Sequence, residues 1–173
     1  RSHVTALGAH QNTRLLAEQC ARHHPSYAVI ADTNKATELK VELKQRHCRA
    51  EVLEGADALC EVAGMAETDV LMAAIVGAAG LASTLEAVKA GKRLLLANKE
   101  SMVIAGELFR SAAKQSGATI IPVDSEHNAL FQALPANFTE GLSRVGVERL
   151  ILTASGGLFL HRERSSLESI TPE

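Results

Sequence analysis

The chain has 173 residues, room for one domain of ordinary size or for a domain plus part of another. Hydrophobic residues make up 46% of it, aromatics only 3%, and there is no Trp, so its core must be built from Ala, Leu, Val and Ile. A net charge of −2 without long runs of one sign speaks against a nucleic-acid partner, and the longest apolar stretch, 70–82, is too short for a bilayer and is interrupted by Gly77 and Gly80.

Short apolar runs alternate with helical patterns along the whole chain. Segments 4–7, 27–31, 51–53, 70–75, 93–96, 119–123 and 149–153 read as strands. In the first helical stretch Asn12 is placed as an N-cap, Leu16 and Cys20 share a face, and Pro25 prevents continuation. In the second, Ala36, Leu39 and Leu43 fall on one side. A later stripe joins Leu81, Leu85 and Val88 and stops at Gly91. The spacing next predicts a helix over 99–116 with Met102, Ala105, Leu108 and Ala112 inward, ended by Gly117. A short helix over 126–134 is followed by a loop at 135–141. Strand–helix alternation of this kind implies right-handed crossovers and an α/β fold, a Rossmann-like doubly wound parallel sheet. The lapse of the pattern puts a domain junction near 124, between a first domain at 1–123 and the beginning of a second, α+β domain at 124–173.

The three cysteines, Cys20, Cys48 and Cys60, have no metal-ligand spacing and read as reduced thiols of a cytosolic protein. No secretory signal opens the chain. A start at Arg1 and an end at Glu173, without terminal helix or polar tail, imply a piece of a longer protein.

Ligands of open α/β sheets bind beyond the carboxyl ends of the strands, so function is sought there. The first strand leads into Gly8-Ala9-His10-Gln11-Asn12, a nucleotide-ribose position or an ordinary loop and cap. The fourth leads into Gly77-Ala78-Ala79-Gly80, where small residues let a cofactor approach the backbone or simply pack helix on strand. Ala97-Asn98-Lys99-Glu100-Ser101 follows the fifth: Lys99 offers a cation, Asn98 a donor and an acceptor, while Glu100 also suits a first helical turn. After the sixth, Asp124 and Glu126 flank Ser125. Two carboxylates so close would repel unless a hard divalent cation joined them, although Asp124 or Ser125 could equally cap the next helix. Thr153-Ala154-Ser155-Gly156-Gly157 exposes a hydroxyl and backbone amides, an anion cradle or a flexible turn.

In this order the segments Ala74-Ile75-Val76-Gly77-Ala78-Ala79-Gly80, Asn98-Lys99-Glu100-Ser101, Pro122-Val123-Asp124-Ser125-Glu126-His127-Asn128 and Ala154-Ser155-Gly156-Gly157 resemble the 1-deoxy-D-xylulose 5-phosphate reductoisomerase family across essentially the whole chain. The resemblance implies an enzyme that isomerises and reduces 1-deoxy-D-xylulose 5-phosphate to 2-C-methyl-D-erythritol 4-phosphate in non-mevalonate isoprenoid biosynthesis. It implies NADPH and Mn2+ or Mg2+, with Co2+ a further option, as cofactors, a phosphorylated sugar as substrate, and a cytoplasmic bacterial homodimer without nucleic-acid or membrane partners.

By residue, the resemblance makes Asn98 and Glu100 cofactor contacts, along with the stretch His10, Gln11, Asn12. It makes Lys99, Ser125, Glu126 and Ser155 substrate contacts, Asp124 and Glu126 metal ligands, and Lys99 and Glu126 the catalytic pair. The family's Gly-Lys-Asn stands here as His10-Gln11-Asn12. Gln11 cannot supply a charge to the cofactor's 2′-phosphate, which leaves His10 or Arg14 for that task. The family's phosphate loop would precede residue 1, and its third metal carboxylate would follow residue 173; the 173 residues alone are therefore expected to be inactive.

Two rivals are weaker. A receiver-like signalling domain needs its acidic residue after an early strand, and Asp124 follows the sixth. A semialdehyde dehydrogenase needs a cysteine at a strand end, and Cys20 and Cys60 sit within helical patterns.

Overall fold

The computed structural model describes residues 3–151 and 159–171. The chain divides into two compact units, Arg1–Asp124 and Ser125–Glu173.

The first unit alternates strand and helix throughout: β1 (Ala6–Ala9), α1 (Thr13–His23), β2 (Tyr27–Ile30), α2 (Ala36–Gln45), β3 (Glu51–Glu54), α3 (Ala56–Gly64), β4 (Val70–Ala73), α4 (Leu81–Lys89), β5 (Arg93–Leu96), α5 (Glu100–Ser116) and β6 (Thr119–Pro122). The strands form two three-stranded sheets, ordered β1-β2-β3 and β4-β5-β6. Every pairing in both is parallel, which a βαβ chain requires. Six expected strands are thus present, each within two residues at either end.

Strand alternation explains how helices cover both faces of the first sheet. Ala28 and Ile30 point into a cluster with Leu16, Ala17 and Cys20 of α1 and Ala36, Leu39 and Leu43 of α2. Val29, between them, packs on the other face against Ala58 and Val62 of α3. In the second sheet Ala73, Leu94 and Leu96 join Val88 of α4 and Phe109 of α5. The core is aliphatic, as the composition demands, with Phe109 its one fully buried aromatic ring among the described residues.

α1 begins where expected: the Asn12 side chain accepts from the Leu15 amide at 3.1 Å, which stabilises a helix start by about 1 kcal/mol. α5 ends on Gly117 at φ +77, a left-handed position that glycine adopts without strain. The expected inward face of α5 needs one correction. Leu108 is 51% exposed and Phe109 is fully buried. Phe109, not Leu108, joins Met102, Ala105, Ala112 and Ala113 against the core, beyond a break from helical geometry at Ala105 that resets the helical count.

Cys20 lies at the centre of the first cluster, and burial with Cys48 nearby pushes its thiol up to about 11. Thiolate is the reactive form. Alkylation with iodoacetamide at mildly alkaline pH is therefore expected to modify Cys20 about 100-fold more slowly than an ordinary cysteine of value 9.0. Peptide mass spectrometry of a timed reaction would read this; equal labelling of all three cysteines would contradict it.

The second unit holds α6 (Ser125–Ala133) and short 3-10 turns at Phe138–Glu140 and Arg164–Ser169. Phe131 and Phe138 meet edge to face at 6.1 Å. The expected strand over 149–153 is not formed in its described part: residues 149–151 have no regular structure. An extended run becomes a strand only where a neighbour accepts its backbone hydrogen bonds, and no strand lies in the described residues of this unit. No helix among the described residues is long and apolar enough to cross a membrane.

Candidate functional site

The carboxyl ends of β4, β5 and β6 carry most of the residues singled out in the first unit; His10, Gln11 and Asn12 follow β1. β4 stops at Ala73, whose carbonyl accepts from both the Ala97 and Asn98 amides at 3.0 and 3.1 Å. At the end of β6, the Val123 amide donates to the Leu96 carbonyl at 2.9 Å. Residues 97 and 98 are thus bound to the end of β4, and residue 123 to the end of β5.

Asn98 is 4% exposed. Its Nδ2 donates to the Ile75 carbonyl and, at 3.0 Å, to the Gly77 carbonyl. The loop after β4 is therefore held by a side chain more than twenty positions downstream. Gly77–Gly80 forms a 3-10 turn that runs directly into α4. Thr84 and Ser83 donate their hydroxyls to the Gly80 carbonyl at 2.6 and 3.3 Å. Small size at Gly80 is a packing requirement: a Cβ there would lie 2.8 Å from the Ile75 carbonyl oxygen and 3.2 Å from Asn98 Nδ2. Gly80→Ala is expected to displace this loop and to destabilise the chain by ~1–3 kcal/mol. An unchanged urea midpoint would refute that.

Two buried polar atoms here have no hydrogen-bond partner among the described residues, Asn98 Oδ1 and Ser101 Oγ. Unmatched buried acceptors cost about 1–3 kcal/mol, so they mark a place where a ligand or water group belongs. With the small residues of the 75–80 loop, they fit a cofactor approaching the strand ends. Ser101 is the residue that pattern reading passed over. Its signal was a hydroxyl on the buried side of the first turn of a helix.

Lys99 and Asp124, both singled out in the sequence, meet: Nζ lies 3.1 Å from Oδ2. The carboxylate side chain is 13% exposed and the ammonium side chain 56%. A cation thus already stands on Asp124 at the end of β6, and half of the lysine faces outward. Glu100 occupies the first turn of α5 and is exposed.

At the other strand ends the observations are plainer. His10 and Gln11 are exposed beyond β1, Asn12 caps α1, and Arg14 pairs with Glu18 at 3.1 Å. In the second unit, Ser125 Oγ donates to Glu126 Oε2 at 2.7 Å in the exposed first turn of α6. Ser155 lies outside the described residues. No three His, Cys, Asp or Glu side chains gather into a metal-binding cluster among the described residues. Carboxylate oxygens such as those of Asp124 and, separately, Glu126 are hard donors of the kind that suits Mg2+ or Mn2+.

Parallel strands, helices on both faces and a polar cluster at the strand ends define an α/β protein of the nucleotide-binding kind. The family model for 1-deoxy-D-xylulose 5-phosphate reductoisomerase matches residues 1–106, and the model for that enzyme's C-terminal domain matches 120–173. The chain belongs to the 1-deoxy-D-xylulose 5-phosphate reductoisomerase family. It is 53% identical over 173 residues to the reductoisomerase of Pseudomonas aeruginosa, covering 100% of this chain and 44% of that one. The Zymomonas mobilis enzyme in complex with NADPH superposes with a TM-score of 0.83 at 44% identity, over 99% of this chain and 43% of that one. A reductoisomerase in complex with NADPH, fosmidomycin and magnesium gives 0.85 at 39% identity, over 99% and 43%. The chain therefore spans less than half the length of these relatives.

Proposed function

We propose that this chain is the cofactor-binding part and the start of the catalytic part of an enzyme that isomerises and reduces 1-deoxy-D-xylulose 5-phosphate to 2-C-methyl-D-erythritol 4-phosphate. The observation that carries this is the pairing of Lys99 with Asp124 at the strand ends of a chain 53% identical to a reductoisomerase. Residues 1–123 form the nucleotide-binding domain in this reading, and 124–173 open the catalytic one. The whole protein is read as a cytoplasmic homodimer.

NADPH is held by Asn98 and Glu100 at the nicotinamide end and by His10, Gln11 and Asn12 toward the adenosine. The cofactor supplies the hydride. Asp124 and Glu126 give carboxylate oxygens to Mg2+ or Mn2+, or to Co2+, and the metal supplies Lewis-acid polarisation of substrate oxygens. Lys99 has a half-exposed ammonium. It neutralises negative charge that develops on the substrate, a contribution of several kcal/mol in a closed site. Ser125 orients a substrate oxygen beside Glu126, and Ser155 binds toward the phosphate. Arg14, or His10 through its ring N–H, is the side chain near the ribose end that would favour NADPH over NADH.

The test is NADPH oxidation by the full-length protein, with 1-deoxy-D-xylulose 5-phosphate and Mg2+ or Mn2+ present. Substrate-dependent loss of NADPH absorbance that stops on chelation of the metal is expected. No substrate-dependent oxidation with any of the metals would overturn the reading. Residues 1–173 alone are expected to show no turnover, since they supply two of three metal carboxylates.

A further inference from the structure

We propose that Cys20 and Cys48 are a peroxide-responsive thiol pair, in which Cys48 is oxidised first and Cys20 closes a disulfide onto it. Neither residue takes part in the functional reading above, and the proposal stands without it.

Both cysteines belong to one side of the first sheet. α1 and α2 each cross from one parallel strand to the next, right-handedly, so they lie on the same face and bring their carboxyl ends to the same end of the sheet. Cys20 lies in the last turns of α1, where its carbonyl accepts from the His24 amide at 2.8 Å. Its side chain is fully buried in the cluster that holds Leu16, Ala17, Leu39 and Leu43. Beyond α2, His47 takes the left-handed conformation at φ 53. The His47 amide donates to the Lys44 carbonyl at 3.1 Å, and the Cys48 amide donates back to the Leu43 carbonyl at 3.0 Å. Such a closure folds the residue after the left-handed position against the last turn of its own helix. Cys48 accordingly packs on the cluster that contains Cys20 and Leu43, near enough for its charge to be felt at the Cys20 thiol. Cys60 is placed differently: α3 carries it, and α3 covers the opposite face of the sheet.

The two thiols differ in what they can meet. Cys20 has no exposed surface, and burial disfavours its charged form, so a dissolved oxidant does not reach it. Cys48 is only partly buried. A peroxide transfers one oxygen to the Cys48 sulfur, which becomes a sulfenic acid, and the peroxide leaves reduced as water or an alcohol. The Cys20 sulfur then attacks Cys48 Sγ. The S–S bond forms, the S–O bond breaks, and the departing hydroxide takes the Cys20 thiol proton and leaves as water. Two thiols give up two electrons, and one peroxide accepts them. Burial slows Cys20 toward reagents in solution, but a neighbour held on the same cluster needs no diffusion to be reached. The disulfide joins the ends of two helices that already pack on one core, so no part of the strand-end site has to move.

Hydrogen peroxide added to the reduced full-length protein tests this, with non-reducing digestion and peptide mass spectrometry as the readout. Trypsin cuts after Arg14, Arg22, Arg46 and Arg49, so the expected product is residues 15–22 joined to residues 47–49. Dithiothreitol should abolish it. Cys48→Ser should lose the linked product and leave Cys20 a free thiol. Cys20→Ala should strand Cys48 as the sulfenic acid, with capture by dimedone roughly fivefold or more above native. Should Cys20→Ala fail to fold by circular dichroism, the native protein and Cys48→Ser carry the decision, since Cys48 is half-buried and outside the helix. A Cys48 that peroxide leaves unchanged overturns the proposal, and so does one that proceeds to the sulfinic acid while Cys20 stays a thiol. A link from Cys48 to Cys60, or to a cysteine outside residues 1–173, overturns it as well, as does undiminished oxidation of Cys20 in Cys48→Ser.

Discussion

Replacing Asp124 by Asn in the full-length protein is expected to weaken Mn2+ binding about 100-fold or more, since even groups that only support metal ligands cost 10–100-fold when removed. Turnover at sub-saturating metal should fall by at least the same factor. The substitution conserves volume and removes one negative charge. In the structure that charge is matched by Lys99 at 3.1 Å, a pair whose lysine is 56% exposed. Half of the lysine stays in solvent and the Asn carbonyl can still accept from it, so the loss is expected to be about 1–2 kcal/mol, and the thermal midpoint should move by only a few degrees. Large loss of metal with little loss of stability is the signature that separates a ligand from a structural anchor. Isothermal titration with Mn2+ on native and Asp124→Asn protein reads it. Equal binding by the two would remove Asp124 from the metal site.

The same residue illustrates what could be read in advance. Asp124 and Lys99 were each visible as polar residues where an apolar run ends. That they touch depends on β5 and β6 lying side by side, which follows from the topology. Strand positions were legible because buried parallel strands are unbroken apolar runs between helical patterns. The face of α5 differs by one residue because Leu108 and Phe109 are both large and apolar, and the break from helical geometry at Ala105 interrupts the periodic count between Met102 and them. The strand expected at 149–153 failed in its described part for want of a neighbour, a property no local pattern contains. Asn98 was recognisable as a cofactor candidate offering both a donor and an acceptor. Its donors turn out to serve carbonyls 21 and 23 residues upstream, and loop closure over that span leaves no periodic trace in the sequence. Ser101 was missed for the same reason: its hydroxyl looks like any polar residue at a helix start until burial is known.

Phe109→Ala is expected to destabilise the first unit by ~3–5 kcal/mol, the usual cost of truncating a fully buried aromatic ring. Against a domain stability of about 5–15 kcal/mol this is a large fraction, and it should lower the thermal midpoint by roughly 10–25 °C. Phe109 is fully buried among Ala73 of β4, Val88 of α4 and Leu94 and Leu96 of β5. These are aliphatic groups on rigid strands and a helix, and they cannot collapse onto a cavity of that size. Leu108→Ala, one residue away at 51% exposure, removes a side chain half in solvent and should cost under about 1 kcal/mol. Thermal melts of the two variants, followed by far-ultraviolet circular dichroism, give the comparison; equal shifts would show that the α5 face is wrongly assigned. The consequence reaches the site. α5 starts immediately after Lys99, and a break from helical geometry at Ala105 (φ −139, ψ 28) separates its first turns from Phe109. The ring therefore anchors the C-terminal half of α5, while the loop contacts of Asn98 anchor its beginning. Loss of Phe109 should thus loosen the helix before it loosens the 75–80 loop. Amide hydrogen exchange in Phe109→Ala should accelerate first in residues 106–116 and last at the amides of Ala97 and Asn98 that bind the Ala73 carbonyl.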